Sequence, residues 1–209
     1  MKKAIVILAA LAASAAMQAQ VSYGVRAGAN FSNVTFSGDG ESESEDSRFG
    51  FNIGASLELP IKGGFGLETG LYYTSKGCKH SYESGSESTY AMDYLQVPLL
   101  AQYKFGVAPV ADVKVFAGPF VAYGIGGGST FKDDDGKETD GDSVFGDDGY
   151  KRFDFGLRIG AGVDLAKNYY VGIGYDLGLM DIDRSGEFGM GDDFSTRTGS
   201  FFVQVGYNF

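Results

Sequence analysis

Alternation of apolar residues with small or polar ones at every second position constrains this chain more than any other feature of its sequence. Between residues 153 and 165, Phe, Leu, Ile, Ala and Val occupy the odd positions, whereas Asp154, Arg158, Asp164 and three glycines occupy the even ones. Successive side chains of a β-strand point to opposite faces, so this pattern predicts a strand with one apolar and one polar face.

Eight segments follow this pattern with their apolar residues at odd positions. The predicted strands cover residues 22–31, 49–59, 65–73, 94–105, 113–123, 153–165, 169–179 and 199–209. The fourth is the least regular, because Tyr90 and Met92 fall out of phase with Val97 and Leu99 and because Pro98 lies within it. A β-bulge is therefore expected in this strand.

The connections between these segments alternate in length. Long connections lie near 35–48, 76–90, 125–151 and 181–198, and short ones near 60–64, 105–112 and 166–168. The long ones carry net charges of −4, 0, −5 and −3, so they hold the acidity of a chain whose net charge is −10. Short periplasmic turns and long extracellular loops are typical of outer-membrane barrels.

The N-terminus predicts export. Lys2 and Lys3 precede an apolar run at 4–13, as in a secretory signal peptide, so we expect residues 1–20 to be a signal peptide and 21–209 the folded domain. A single cysteine excludes an internal disulfide, and the acidic balance argues against nucleic acid as a partner.

The composition of the two faces favours a membrane over water as the surrounding solvent. No stretch after residue 20 approaches the ~18–20 apolar residues of a membrane helix. The polar face is dominated by glycine and is too small to be the outside of a soluble barrel, whereas the opposite face is apolar throughout. Strand edges must be paired in lipid, so the sheet must close. The sequence predicts an all-β, eight-stranded antiparallel up-and-down transmembrane β-barrel in the bacterial outer membrane.

Four stretches and the C-terminus give the chain a family resemblance. They are Asp93–Leu100, Val115–Tyr123, Asp154–Gly162, Gly174–Met180 and Tyr207–Phe209. In their order and spacing the chain resembles the PorT-like outer-membrane protein β-barrel domain family of Bacteroidetes-type, Gram-negative bacteria. The resemblance implies a barrel located in the outer membrane. It implies no catalytic residue and no cofactor.

The polar face also contains charges that would lie inside such a barrel. Nine are expected to point inward: Arg26, Glu58, Glu68, Lys104, Lys114, Asp154, Arg158, Asp164 and Asp176. A charge in a narrow lumen is costly unless it is paired. The nearly equal numbers of the two signs favour a salt-bridged plug over a proton path.

Two other constellations are weaker candidates for chemistry. The acidic run 133–142 offers Asp133, Asp135, Asp140 and Asp142 as metal ligands, but it lacks the spacing of an EF-hand and is better interpreted as a solvated loop that binds divalent ions only casually. Cys78 and His80 resemble a nucleophile with its base, or two metal ligands, but no third group is defined. No catalytic, cofactor-binding or firm metal site is predicted.

These observations predict a monomeric, non-enzymatic barrel with a structural or surface-interaction role. Its expected partners are outer-membrane lipid, the barrel insertion machinery, which would read the terminal Phe209, and an extracellular ligand or protein bound by the loops. One alternative is a small-solute or ion pore or transporter component. A second is a hydrolase at the barrel mouth that would use Cys78 and His80.

Overall fold

A computed structural model describes residues 21–38, 41–82, 84–145, 149–182 and 195–209; the predicted signal peptide at 1–20 lies outside these ranges. The strands are β1 Ser22–Gly38, β2 Glu41–Ser44, β3 Asp46–Lys62, β4 Phe65–Ser81, β5 Glu87–Ala108, β6 Ala111–Lys132, β7 Glu138–Asp140, β8 Phe153–Leu165, β9 Tyr169–Gly178 and β10 Ser195–Asn208. Within the described ranges, no helix is long and apolar enough to cross a membrane.

Eight of these strands form a closed antiparallel ring. Its order is β1, β3, β4, β5, β6, β8, β9 and β10, and β10 then pairs with β1. This last ladder runs from Gly24 opposite Asn208 to Ser37 opposite Ser195. The short strands β2 and β7 pair with β1 and β6 beside the ring. The predicted all-β, antiparallel class and the closure of eight strands are thus confirmed.

Several strands are longer than their alternating segments. The β4–β5 ladder continues from Lys76 opposite Met92 to Ser81 opposite Glu87, so most of the connection predicted at 76–90 is a β-hairpin. Backbone hydrogen bonds extend the ladder beyond the last outward apolar side chains of β4, and in this stretch the apolar residues Cys78 and Met92 face the interior instead. For this reason the alternation ends before the strand does.

Side-chain direction follows residue parity, with even positions inside the ring. Tyr90 and Met92 are out of phase with Val97 and Leu99, as the sequence predicts: both belong to the apolar packing inside, Met92 fully buried and Tyr90 in part, whereas Val97 and Leu99 are exposed. A register shift does occur nearby, because Asp93 lies opposite Gly126 whereas Tyr94 lies opposite Gly124. The extra residue of this bulge is therefore Ile125, on β6.

Inward glycines provide room for inward aromatic rings. The ring of Tyr170 lies against Gly162 and Gly172 so closely that a Cβ at either position would overlap it. Similar contacts join Phe116 to Gly160, Phe120 to Gly156, Phe202 to Gly174, and Tyr72 to Gly54 and Gly70. The glycine-rich inner face is filled by rings from neighbouring positions.

We expect Gly172→Ala to destabilise the fold by about 1–3 kcal/mol, the usual cost of overpacking, because its methyl group would collide with Tyr170. Gly128→Ala is the matched control, since a Cβ there meets nothing within 4 Å. Urea unfolding in detergent measures both variants. Equal unfolding free energies would contradict this description of the interior.

Candidate functional site

The inside of the ring is rich in paired charges. Ten charged side chains of the described residues lie there, namely Arg26, Lys76, Lys104, Lys114, Arg158, Glu58, Glu68, Asp154, Asp164 and Asp176; Lys104 is half-buried and the others are buried. Five are cations and five are acids, so the interior is neutral overall. All nine inward charges predicted from the sequence are among them.

The larger of two charge clusters is centred on Glu58, at the end of the ring with the short turns. Its carboxylate accepts hydrogen bonds from Arg26 Nη2 at 2.9 Å, Lys114 Nζ at 2.5 Å and Lys104 Nζ at 3.1 Å. Lys114 also contacts Glu68 Oε2 at 2.7 Å, and Lys104 contacts Asp164 Oδ2 at 2.6 Å. Six strands contribute to these pairs.

The two remaining strands of the ring complete this cluster. Tyr170 of β9 places its ring 3.5 Å from the Arg26 guanidinium carbon and 4.5 Å from Lys114 Nζ, within the range of cation–π attraction. Asn208 of β10 donates its side-chain amide to Asp164 Oδ1 at 3.1 Å. The Glu58 cluster therefore links all eight strands of the ring.

The second cluster is centred on Asp176. Arg158 donates Nε and Nη2 to its two carboxylate oxygens at 2.6 and 2.8 Å, the bidentate geometry of a strong pair. Gln96 Nε2 donates to the same carboxylate at 2.8 Å, and Lys76 Nζ lies 3.6 Å from it. The sequence predicts Lys76 to begin a long connection, whereas in the structure it lies on β4 and its even number continues the inward parity of that strand.

Asp154 differs from the other buried acids. It accepts a hydrogen bond from Thr198 Oγ1 at 3.0 Å and makes no ion pair with a described residue. The part of Asp154 in the lumen charge network therefore stays a prediction. The nearby cations Arg158 and Lys76 pair with Asp176 instead.

Neutral amides join strands in the interior as well. Gln204 Nε2 donates to Asn52 Oδ1 at 2.6 Å, Asn52 Nδ2 donates to Asn30 Oδ1 at 2.6 Å, and Asn30 Nδ2 donates to Thr74 Oγ1 at 2.7 Å. This chain connects β10, β3, β1 and β4. Parity predicted that these residues point inward but did not indicate their contacts.

An apolar cluster lies inside the ring at the end away from the short turns. It contains Val34, Cys78, Met92, Tyr94, Phe120, Ala122, Val144, Phe145 and Ile182. Val144 and Phe145 come from the acidic connection 125–151, and the ring of Phe145 packs directly against Gly124. Part of that connection is therefore a docked apolar segment, a feature that its acidic composition concealed.

The acidic part of the same connection is exposed. Asp133, Asp135, Asp140 and Asp142 are all exposed, and Asp133 accepts the backbone N–H of Asp134 at 2.7 Å. Among the residues that the structure describes, no three His, Cys, Asp or Glu side chains come together as a metal site.

The Cys78 and His80 side chains have separate environments. Cys78 is buried in the apolar cluster, beyond the outward apolar residues of β4, and this burial raises the pKa of its thiol to about 12. His80 Nδ1 instead contacts Glu45 Oε2 at 2.8 Å. A thiol with this pKa is not a thiolate at neutral pH, so the arrangement does not activate a nucleophile.

Comparison with known proteins gives one family match. A model described as "Outer membrane protein beta-barrel domain" matches residues 14–184. No curated protein has a significantly similar sequence.

Several solved structures are similar at low identity. Ail of Yersinia pestis, in complex with the heparin analogue sucrose octasulfate, is 14% identical, with a TM-score of 0.43 over 90% of this chain and 99% of that chain. OprG from Pseudomonas aeruginosa is 14% identical, with a TM-score of 0.48, and the match covers 91% of this chain and 97% of that chain. The outer membrane enzyme PagL is 15% identical, with a TM-score of 0.43, and the match covers 84% of this chain and 97% of that chain.

We expect Glu58→Gln to destabilise the protein by about 3–5 kcal/mol, because it removes the shared anion of three cations and leaves Arg26 without an acidic partner. The matched control is Glu87→Gln, which breaks the part-exposed pair of Glu87 with Lys79 and should cost no more than about 1 kcal/mol. Urea unfolding at pH 7 measures both. Similar losses in the two variants would show that the Glu58 cluster has no special role.

Proposed function

The chain belongs to the outer membrane protein beta-barrel domain family, and from this premise we propose that it is a PorT-like transmembrane barrel whose lumen is plugged by its own side chains. Its long connections then serve a structural or surface-interaction role outside the cell. The observation that carries the proposal is the contrast between the paired charges inside the ring and the apolar side chains outside it.

The outer face supports a lipid environment. Odd-numbered side chains of the ring strands point outward, as Leu157, Ile159 and Val171 do, with 45%, 63% and 44% of their surface exposed. Exposed apolar area of this extent is unusual on a protein surrounded by water. An outward apolar band is what lipid requires of a membrane barrel.

Aromatic pairs lie toward both ends of this outer face. Tyr169 with Tyr207 and Phe65 with Tyr103 lie near the short turns, with ring centroids 5.6 and 4.8 Å apart. Toward the opposite end, Phe31 and Phe49 lie 5.6 Å apart. Membrane barrels place aromatic girdles at the two lipid–water interfaces, so these pairs support the proposed orientation of the strands across a bilayer.

The interior contacts support the proposed plug. Eight strands enclose a space just wide enough for side chains, and here the Glu58 and Asp176 clusters together with inward aromatic rings occupy it. These contacts count against the pore alternative. The buried, neutral thiol of Cys78 counts against the hydrolase alternative, and we propose no catalytic role.

Assembly is the proposed role of the C-terminal Phe209. Its backbone N–H donates to Tyr23 O at 2.9 Å, and its exposed ring stacks on Tyr23 with centroids 5.5 Å apart. The exposure of this aromatic ring at the ring closure supports the proposed recognition by the insertion machinery. Export by a signal peptide at 1–20 and a monomeric state in lipid complete the proposal.

The topology is tested with peptide tags in intact cells. A tag inserted after Gly136, in the exposed turn between β6 and β7, should be reached by antibody from outside, whereas a tag after Gly63, in the short β3–β4 turn, should not. Both tags should become accessible once the cells are permeabilised, which controls for expression. Labelling of the Gly63 tag alone in intact cells would contradict the proposed orientation.

A further inference from the structure

A groove of about 540 Å³ lies on the outer face of the ring, toward the end with the short turns. It crosses four neighbouring strands, β3, β1, β10 and β9. The volume falls within the range of about 300–1,000 Å³ that is usual for ligand sites. We call this space the outer groove. Its lining includes the exposed side chains of Ala27, Ile53, Val171, Val205, Tyr169 and Tyr207.

The depression is centred on Ala27, whose side chain is shorter than those beside it. Ala27 lies opposite Ile53 on β3 and opposite Val205 on β10, and Val205 in turn lies opposite Val171 on β9. Residues directly opposite each other in antiparallel strands have neighbouring side chains on the same face. A methyl group between an isoleucine and a valine therefore leaves a gap in the apolar outer face.

Two tyrosines border the outer groove near the short turns. The rings of Tyr169 and Tyr207 have centroids 5.6 Å apart, and the ring of Tyr207 also packs against Phe209 at 5.3 Å. Tyrosine is enriched at the membrane–water interface, where its ring lies at the level of the lipid headgroups. A hydrocarbon chain in the groove would therefore have its polar end beside these rings.

An exposed cation lies just beyond the tyrosines. Lys167 belongs to the β8–β9 turn, two residues before Tyr169, and forms no ion pair with any residue that the structure describes. The turn is fixed, because Asn168 donates its backbone N–H to Leu165 O at 3.2 Å and its side-chain amide to Asn208 O at 2.8 Å. Lysine near a membrane surface attracts anionic headgroups. Lys167 thus gives the polar end of the groove a charge complementary to that of a lipid phosphate.

We propose that the outer groove binds one anionic glycerophospholipid, an inference that rests on the proposed function because it requires an outer face in contact with lipid. One acyl chain packs over Ala27, between Ile53 and Val205. The phosphate pairs with Lys167, and the tyrosine rings lie beside the glycerol. Lipid tails are as apolar as the side chains, so the affinity comes from the fit of the chain and from the charge.

Binding is tested by adding dimyristoyl phosphatidylglycerol to the purified full chain, labelled with ¹³C at its isoleucine and valine methyl groups, in maltoside micelles. The methyl signals of Ile53 and Val205 should shift and saturate, because both residues line the groove. Ile159 is the matched control: it is exposed on the outer face but lies outside the groove, so its signal should not shift.

The lipid headgroup tests the role of the charge. Dimyristoyl phosphatidylcholine has the same chains and no net charge, and it should bind about fivefold more weakly, which corresponds to about 1 kcal/mol for one lysine near a membrane surface. Lys167→Gln should lower the affinity for phosphatidylglycerol to that for phosphatidylcholine.

A second variant tests the place of the acyl chain. Ala27→Phe should weaken the binding of both lipids at least about tenfold, because its ring occupies the space of the chain and the fit is lost. Ala117→Phe is the matched control, since Ala117 is an exposed alanine on β6 outside the groove, and it should leave the binding of both lipids unchanged.

The proposal is overturned if Ile53 and Val205 show no saturable shift, if the two lipids bind equally, or if Ala117→Phe weakens binding as much as Ala27→Phe. A dimeric mass in lipid-free micelles, with these two methyl groups covered, would assign the groove to a second copy and overturn it too. Nuclear Overhauser contacts between detergent chains and Ile159 distinguish such a failure from that of the proposed function. Their absence would show that the outer face does not contact lipid at all.

Discussion

The carboxylate of Glu58 is shared by Arg26, Lys104 and Lys114, and the organisation of the interior depends on this sharing. Each cation comes from a different strand, and Lys104 and Lys114 extend the contacts to Asp164 and Glu68. With Tyr170 and Asn208 added, the cluster ties together all eight strands of the ring. Removing one member leaves buried charges without compensation, which costs far more than losing a pair on the surface.

The two faces of the sheet make opposite demands on its residues, and the parity of the sequence meets both. Odd positions present apolar side chains to the surroundings. Even positions combine charges, amides and rings with glycines that leave space for the rings, as Gly162 does for Tyr170. A shift of one residue in any strand would exchange the two faces, so the alternation also specifies the register.

Much of the fold could be predicted from this alternation, but the contacts of the site could not. The alternation at every second residue indicated that the side chains of Arg26, Arg158 and Asp176 point inward. The partners of these side chains depend on the register between strands, which the alternation does not give. Glu58 is 32 residues from Arg26 in the sequence, and no local pattern links them. Lys76 was missed because the alternation ends before β4 does. Phe145 was missed because a docked apolar segment within an acidic connection has no periodic signal.

The central claim, that paired charges close the interior, is tested most directly by conductance in planar lipid bilayers. We propose that the Glu58 and Asp176 clusters plug the lumen, so the purified, unmodified protein at neutral pH should give no sustained current. Steady, ion-selective openings of the unmodified protein would contradict the proposed plug, because ions would then cross the part of the interior where the paired side chains of the Glu58 and Asp176 clusters lie.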